Sequence, residues 1–401
     1  MTSRPSTIPD LRPEAELLIC SAGLWSEDER INRIIYLLES EIDWAYLIKT
    51  ADYNRVSTLL YWYLKKSNSP KVPRDVLDNL ENEYDYTLKH NLLMAQELFR
   101  LLDLFEKKSI KVLPYRGPLL AFSLYKNPAF RQIWDLDILI KEENVLQAKE
   151  LLLGNGYTSC FEMSPNDEEK KIKKIGEFQF QRNDDMIKID LHWRILPTSM
   201  GDLSNPDLIW KSAVETTLAG NTLWTMSPDI LVQVLLWHGG IKHQWLELKL
   251  ITDIARIVEK YNDINWESIL KQTIRTSSDC ESLVGLHLAN VLLGANLNPV
   301  ISERIKKNSH VNSRAGLTIG RLFRVGFGLP GFSEWVGYVN STGGWKDTPK
   351  FVNIFRYCRG IMTPEFDDKI FFPKWLRIMA YFKKYFRLIR RHGFRLLGRI
   401  R

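Results

Sequence analysis

The sequence predicts an α+β protein, a small mixed sheet set between an N-terminal and a C-terminal helical region. Three observations predict it. Apolar residues recur at three-and-four spacing from about residue 27 to 110, the period of one helix face. Between 111 and 193 the period falls to two, as side chains alternate across a strand. After residue 205 the helical spacing returns. Those changes divide the chain into 1–105, 106–204, 205–320 and 321–401, the last a loop region and a basic tail.

The helical series reads INRIIYLLES, NRVSTLLYWYLKKS and the long VLDNLENEYDYTLKHNLLMAQELFRLLDLFEKKS, with Pro70 and Pro73 separating the second from the third. KVLPY (111–115) is a short strand and GPLLAFSLY (117–125) a short helix. The polar loop KNPAFRQ leads into the strand DLDILIK (135–141). EENVLQAKELLLGNG is a helix ending at Gly154 or Gly156, and YTSCFEM is another strand. EFQFQ and MIKIDLHW alternate cleanly on either side of Asn183-Asp184-Asp185, a hairpin pattern. From Ser227, an expected N-cap followed by Pro228, one helix is expected through SPDILVQVLLWHGGIKHQW. LKLITDIARIVEKY and ESLVGLHLANVLLGA follow, then a Gly- and Trp-rich loop at 325–350 and a helical tail from Lys374.

The chain has 401 residues, 45% hydrophobic and 26% charged, the composition of an ordinary globular protein with a sizeable core. No basic segment followed by an apolar stretch opens the sequence, so no secretory signal is expected. Nor does any run reach the roughly 18 apolar residues of a membrane span. Cys20, Cys160, Cys280 and Cys358 lie far apart in no metal-binding spacing, as in a cytoplasmic protein with reduced thiols. The net charge is +7, yet residues 374–401 carry ten Lys or Arg and no acid, which leaves −3 on the rest.

Asp135 and Asp137 stand two apart at the start of an apolar strand, so both side chains leave the same face. Like charges this close raise each other's pKa unless a cation lies between them. In MIKIDLHW, Ile187, Ile189 and Leu191 face one way, while Lys188, Asp190 and His192 face the other. Asp190 is therefore a third carboxylate on a polar strand face, on a plausible neighbour of the first strand. Three carboxylates on adjacent strands suit hard divalent cations, and Mg2+ best, because it prefers oxygen ligands and leaves room for phosphate. Two such ions, ~4 Å apart, clamp the attacking and leaving oxygens of a phosphoryl or nucleotidyl transfer. The alternative is a solvated strand end whose acids pair with Lys or Arg.

The order Arg116-Gly117, Tyr125, Arg131, Asp135-Leu136-Asp137-Ile138, Gly156-Tyr157, Ile189-Asp190-Leu191-His192-Trp193 and Trp237-His238-Gly239-Gly240-Ile241-Lys242-His243 carries a resemblance. Over roughly residues 30–260 the chain resembles a bacterial branch of uncharacterised nucleotidyltransferases within the DNA polymerase β superfamily. That resemblance implies a polymerase β-like α/β core using Mg2+, two ions, with an NTP as substrate. It implies that Asp135 and Asp137 hold the metals and that Asp190 completes the catalytic metal site near the acceptor. In the wider superfamily a Gly-Gly or Gly-Ser pair opens a phosphate-cradling helix closer to the first Asp. Here Pro118 replaces the second member and sixteen residues, 119–134, intervene. Proline brings neither hydroxyl nor N–H, so Arg116, Gly117 and Arg131 are left to hold phosphate, and an inactive member of the group is the alternative. Arg116 stands where the branch has Lys.

His192, on the face of Asp190, is a candidate contact to nucleotide or acceptor, or equally a structural histidine; Trp193, pointing the other way, is expected in the core. His238 and Lys242 are i, i+4 neighbours that line one wall of a cleft if the segment is helical. Lys249 and Asp253, also i, i+4, read as a simple helix ion pair. The tail KWLRIMAYFKKYFRLIRRHGFRLLGRIR mixes bases with Trp, Tyr and Phe, the pattern of an element bound to an anionic membrane surface or to RNA, or of a stripe packed on the body. A cytoplasmic enzyme, peripheral to the inner membrane surface if the tail binds lipid, is the expectation. Two rivals stand beside it. A non-catalytic nucleotide-binding or adaptor protein keeps the same fold; a metal-dependent glycosyltransferase also uses Asp-x-Asp, but needs no third acid on a later hairpin.

Overall fold

The computed structural model describes residues 11–160, 172, 176–182, 187–195, 206–275 and 279–323. Among these, the ends of the early helices follow from local chemistry. α1 (Pro13–Ala22) starts on proline, and eight of its ten residues are buried. α2 (Glu27–Leu37) is opened by a capping box: Ser26 Oγ accepts from the Glu29 N–H while the Glu29 carboxylate accepts from the Ser26 N–H. Asp43 caps α3 (Trp44–Tyr53), and α4 (Ser57–Ser67) ends on Asn68 in the left-handed region. Pro73 then precedes α5 (Arg74–Glu106), a helix of 33 residues.

The sheet contains β1 (Val112–Pro114), β2 (Leu136–Ile140), β3 (Thr158–Ser159), β4 (Glu177–Arg182) and β5 (Ile187–His192), in the spatial order β1-β2-β5-β4-β3. β2 and β5 run parallel, with Asp137 opposite Asp190 and Leu139 opposite His192; the other neighbours are antiparallel. The sheet is therefore mixed, and the protein is α+β. α6 (Pro118–Leu124) and a 3-10 turn, Pro128–Phe130, join β1 to β2; α7 (Val145–Gly154) leads from β2 to β3. The apolar face of the strands is fully packed, with Ile187, Ile189, Leu191 and Trp193 each 0% exposed. Trp193 meets Phe178 edge-on at 4.9 Å, the core position its alternation predicts.

After residue 205 come α8 (Pro206–Lys211) and a hairpin of β6 (Val214–Leu218) and β7 (Asn221–Thr225), where only helices are expected from the sequence. The hairpin turns on Ala219 and Gly220, both in the left-handed region, and Thr225 Oγ1 donates to Pro114 O at 2.7 Å, tying β7 to β1. α9 (Pro228–Trp237) begins after Ser227 as expected, though the serine side chain makes no cap bond. The expected single helix 227–245 breaks at a π-helical turn, His238–Lys242. α10 (Leu248–Lys260), α11 (Trp266–Arg275), α12 (Asp279–Leu293), α13 (Pro299–Lys307) and α14 (Ser309–Leu322) complete the described chain.

One apolar cluster runs from α1 through β1 and β2 to α12 and α14, across the sequence boundaries at 105 and 204. Residues 1–160 and 175–323 form one unit; 161–174 and 324–401 are the other, of which Ile172 alone is described. The hairpin turn at 183–185, the loop at 325–350 and the tail from Lys374 lie outside the described residues. No helix among the described residues is long and apolar enough to cross a membrane, and Cys20, Cys160 and Cys280 form no disulfide with one another.

Candidate active site

Asp137 and Asp190 meet because β2 and β5 pair in register, and the strand pleat sends both side chains to the polar face. His192, two residues on from Asp190, shares that face. One ligand atom from each of Asp137, Asp190 and His192 lies within 4.8 Å of the others, a spacing that suits a shared cation. Asp137 and His192 are buried and Asp190 is partly so. His192 Nε2 lies 3.5 Å from Asp137 Oδ1 and makes no hydrogen bond, while Nδ1 lies 3.5 Å from Glu177 Oε2. Three donors with one orphaned, buried nitrogen among them fit a divalent metal ion. Asp135, just ahead of β2, is not part of this set.

Asp137 is paired with a cation of the chain itself, Arg116, whose guanidinium donates from Nη2 to Asp137 Oδ1. Burial pushes the Asp137 carboxyl up, but Arg116 and His192 more than offset it and hold the group at about 2. Among the described residues, no cation pairs with Asp190. Burial, then the charges of Asp135 and Asp137, push it up to about 7. Asp135 is also raised, by burial first and by Asp137 second. For Arg116, burial lowers the guanidinium's pKa, yet Asp137, Tyr115 and Asp135 raise it overall.

A cleft of about 200 Å³ opens beside these acids, lined by Tyr115, Arg116, Glu177, His192, Arg194, Ile195, Val234, Trp237, His238 and Lys242. Arg116, Arg194 and Lys242 thus face one small space, and charge-assisted donors of this kind suit phosphate. His238 and Lys242 both reach it, as their spacing predicts, but from a π-turn. Trp245 holds that turn. Its ring is fully buried in a slot left by glycines: a Cβ on Gly239 would sit 2.2 Å from the ring, and one on Gly285 2.1 Å. The Trp245 N–H donates to Gly239 O at 2.8 Å and its indole Nε1–H to Glu281 O at 2.9 Å. Gln244 and Trp245 both adopt positive φ, a cost this packing must offset. His238 is held well below the ordinary histidine range by burial, Arg116, His243 and Lys242.

Arg131 is placed elsewhere. Its Nε and Nη2 donate to the two oxygens of Asp253 at 2.9 and 3.0 Å, and Tyr125 Oη donates to the same carboxylate at 2.8 Å. Arg131 Nη1 also reaches Gly117 O at 3.4 Å. The expected Lys249–Asp253 pair is therefore replaced, since Asp253 is taken by Arg131, and Lys249 Nζ lies 4.0 Å from Glu247. Gly117 has φ +55°, and a Cβ there would come within 2.8 Å of Asp135 O, so the glycine allows the loop to press against the site strand. Tyr157, of the Gly-Tyr pair, is buried against Glu97, with Arg100 and Arg182 around it. These motif residues brace the core more than they face the cleft. Sequence reasoning missed Tyr115, Glu177 and Arg194, and named Trp237 in the motif without a place in the site; Arg194 was within reach, two residues beyond His192, but strand alternation carries no information past the strand end.

Residues 40–294 match the family described as uncharacterised nucleotidyltransferase. The chain belongs to that family. The match spans both acid-bearing strands and the turn with His238 and Lys242. No curated protein matches the chain. Among solved structures, it is similar to an antigenic nucleotidyltransferase-like protein from Paracoccidioides brasiliensis, at 14% identity and a TM-score of 0.32, over 55% of this chain and 97% of that one. A score that low carries no argument about this nucleotidyltransferase-family protein, whose site rests on its own geometry.

Proposed function

We propose that the protein is a Mg2+-dependent nucleotidyltransferase that moves NMP from an NTP to an acceptor hydroxyl or similar group. The acceptor oxygen, its proton passing to Asp190, forms a bond to the α-phosphorus, the bond to the bridging oxygen of the β-phosphate breaks, and pyrophosphate leaves. The in-register pair Asp137 and Asp190, beside Arg116 and His192 that line a basic cleft, is the observation that carries this reading. Asp137 and Asp190, with Asp135 at the strand's start, hold the cations; bound there, these neutralise phosphate charge and acidify the acceptor hydroxyl. Arg116, Arg194 and Lys242 bind the triphosphate, and His238 adds a neutral donor. Gly117 keeps the loop close to the strand, while Arg131 braces that loop. The experiment is to incubate the purified protein with each α-labelled NTP and Mg2+ and to follow label into lysate fractions, with Asp137→Asn as control. Label transfer by wild type alone supports the reading; none with any nucleotide overturns it.

A second reading, a nucleotide-binding protein without catalysis, draws on Pro118 at the cradle position and on the Arg116–Asp137 ion pair. It gives NTP binding without label transfer. The basic segment 374–401 adds an anionic surface as partner, a lipid bilayer or RNA, on its sequence alone. Removing it is expected to leave transfer to a small acceptor intact and to abolish salt-sensitive binding to anionic vesicles or RNA. Unchanged binding to both sinks that part.

A further inference from the structure

We infer that His192 is itself a ligand of the cation held by Asp137 and Asp190, so that this position takes a first-row ion of the Mn2+ class in preference to Mg2+. The inference rests on the metal-dependent reading above, names the donor set, and at this one position replaces Mg2+ as the preferred ion.

Its basis is the surroundings of one imidazole. His192 is 5% exposed, and its Nε2, 3.5 Å from Asp137 Oδ1, makes no hydrogen bond of sound geometry among the described residues. A buried nitrogen is seldom left without a partner unless something absent from the protein chain completes it. The other ring nitrogen stands at the same distance from a second carboxylate. Glu177 pairs directly opposite His192 between β4 and β5, and its carboxylate lies 3.5 Å from Nδ1. A proton on Nδ1 directed at that carboxylate leaves the Nε2 lone pair free, the arrangement in which a carboxylate orients a metal-binding histidine. Tyr115, packed edge-on against the ring at 5.6 Å and itself 1% exposed, keeps the imidazole from turning away. A histidine kept only for packing would need no carboxylate at either ring nitrogen.

Two carboxylates and an imidazole differ in kind from three carboxylates. Mg2+ favours oxygen ligands in a strict octahedron and gives up water reluctantly. Replacing one oxygen by an imidazole nitrogen favours ions later in the first row, and Mn2+ accepts both donor types. Arg116 shares Asp137 with the ion; a carboxylate has about four lone-pair sites, so both can be accommodated, with charge repulsion between them.

Mn2+ is the probe. Tag-free protein is titrated with Mn2+ in the absence of nucleotide while the electron paramagnetic resonance signal of the free ion is followed. The complex with one equivalent is then examined by electron spin echo modulation, which detects a directly bound nitrogen. Expected are nitrogen modulation in the wild type, its loss in His192→Gln, Mn2+ binding weakened at least tenfold in that variant, and a roughly hundredfold excess of Mg2+ needed to displace Mn2+ from the wild type. Should His192→Gln fail to fold, the wild-type echo decides alone. Bound Mn2+ without nitrogen modulation, or equal affinities for Mn2+ and Mg2+, overturns the inference and leaves the transferase reading standing if label transfer is seen. Nitrogen modulation without transfer of any labelled NMP does the reverse. No binding of either ion overturns both.

Discussion

Arg131 and Asp253 form a two-point ion pair buried on both sides, with Nε–Oδ1 at 2.9 Å and Nη2–Oδ2 at 3.0 Å. It joins the loop before the site strand to α10. Asn91 Nδ2 pins the same loop to α5 by donating to Pro128 O and Arg131 O. Asn54, between α3 and α4, accepts the N–H groups of Leu248 and Lys249 at the head of α10. The acids on β2 are thus set by a frame of buried polar contacts from both helical regions.

Removing one member of this pair leaves a buried charge. Asp253→Ala is expected to lower stability by about 3–5 kcal/mol, and a double replacement by apolar residues to restore much of it. Urea denaturation of both variants checks this. A stable Asp253→Ala protein that has lost NTP affinity sinks the bracing role and returns Arg131 to the phosphates.

The acids themselves should part by role. Asp137→Asn removes the partner of Arg116 and a metal ligand together, so label transfer should fall to background while far-UV circular dichroism is unchanged. Asp135→Asn should also abolish turnover, through the second ion. Asp190→Ala should lower the rate by orders of magnitude with little loss of NTP affinity. Single-turnover rates and equilibrium NTP binding separate the two; equal loss of both favours the non-catalytic reading.

How far the sequence showed this depended on whether a signal was local. β5 alternates, with Ile187, Ile189 and Leu191 buried, so its core face and the shared face of Asp190 and His192 could be read directly, while β2, buried throughout, showed itself as an apolar run. Their parallel pairing could not, because nothing local reports a partner 53 residues away. α1 is buried on nearly all sides and shows no amphipathic stripe, which hid it. β6 and β7 expose most of their residues and so lack an apolar alternation. Lys249 was the visible neighbour of Asp253 at i, i+4, whereas Arg131, 122 positions earlier, is the real partner. The π-turn depends on Gly285 of α12, far along the chain from Trp245, and HGG alone suggested continued helix.

That slot is open to test from its distant wall. Gly285→Ala places a methyl group 2.1 Å from the Trp245 ring, with no cleft residue touched. Overpacking of this kind costs about 1–3 kcal/mol. Displacing Trp245 should also loosen the turn that carries His238 and Lys242, so NTP affinity should fall beside stability. Thermal unfolding and nucleotide binding are the measurements. Loss of stability with unchanged affinity means the turn holds its shape without Trp245.

The last expectation concerns pH and His243, whose ring lies 4.4 Å from that of His238. Burial, then Lys242, Arg116 and Lys249, lower His243 from 6.5 to about 4. Its folded pKa lies below its unfolded one, so the unfolded chain takes up a proton first as pH falls. The stability tied to the neutral ring is therefore complete above about 6.5 and drains away between there and 4. Asp190, raised to about 7, pulls the opposite way: its protonated form is favoured in the folded state, so it adds stability as pH falls through 7. The slope of the wild type alone mixes the two, and the difference between wild type and His243→Gln isolates the imidazole. Between pH 7.5 and 5 the variant should gain about 1–2 kcal/mol relative to wild type in urea denaturation. The His243 ring protons should hold their neutral chemical shift down to about pH 5. A constant difference across that range, or a ring that titrates near 6.5, shows that the histidine pair is solvated and that the π-turn does not enclose it.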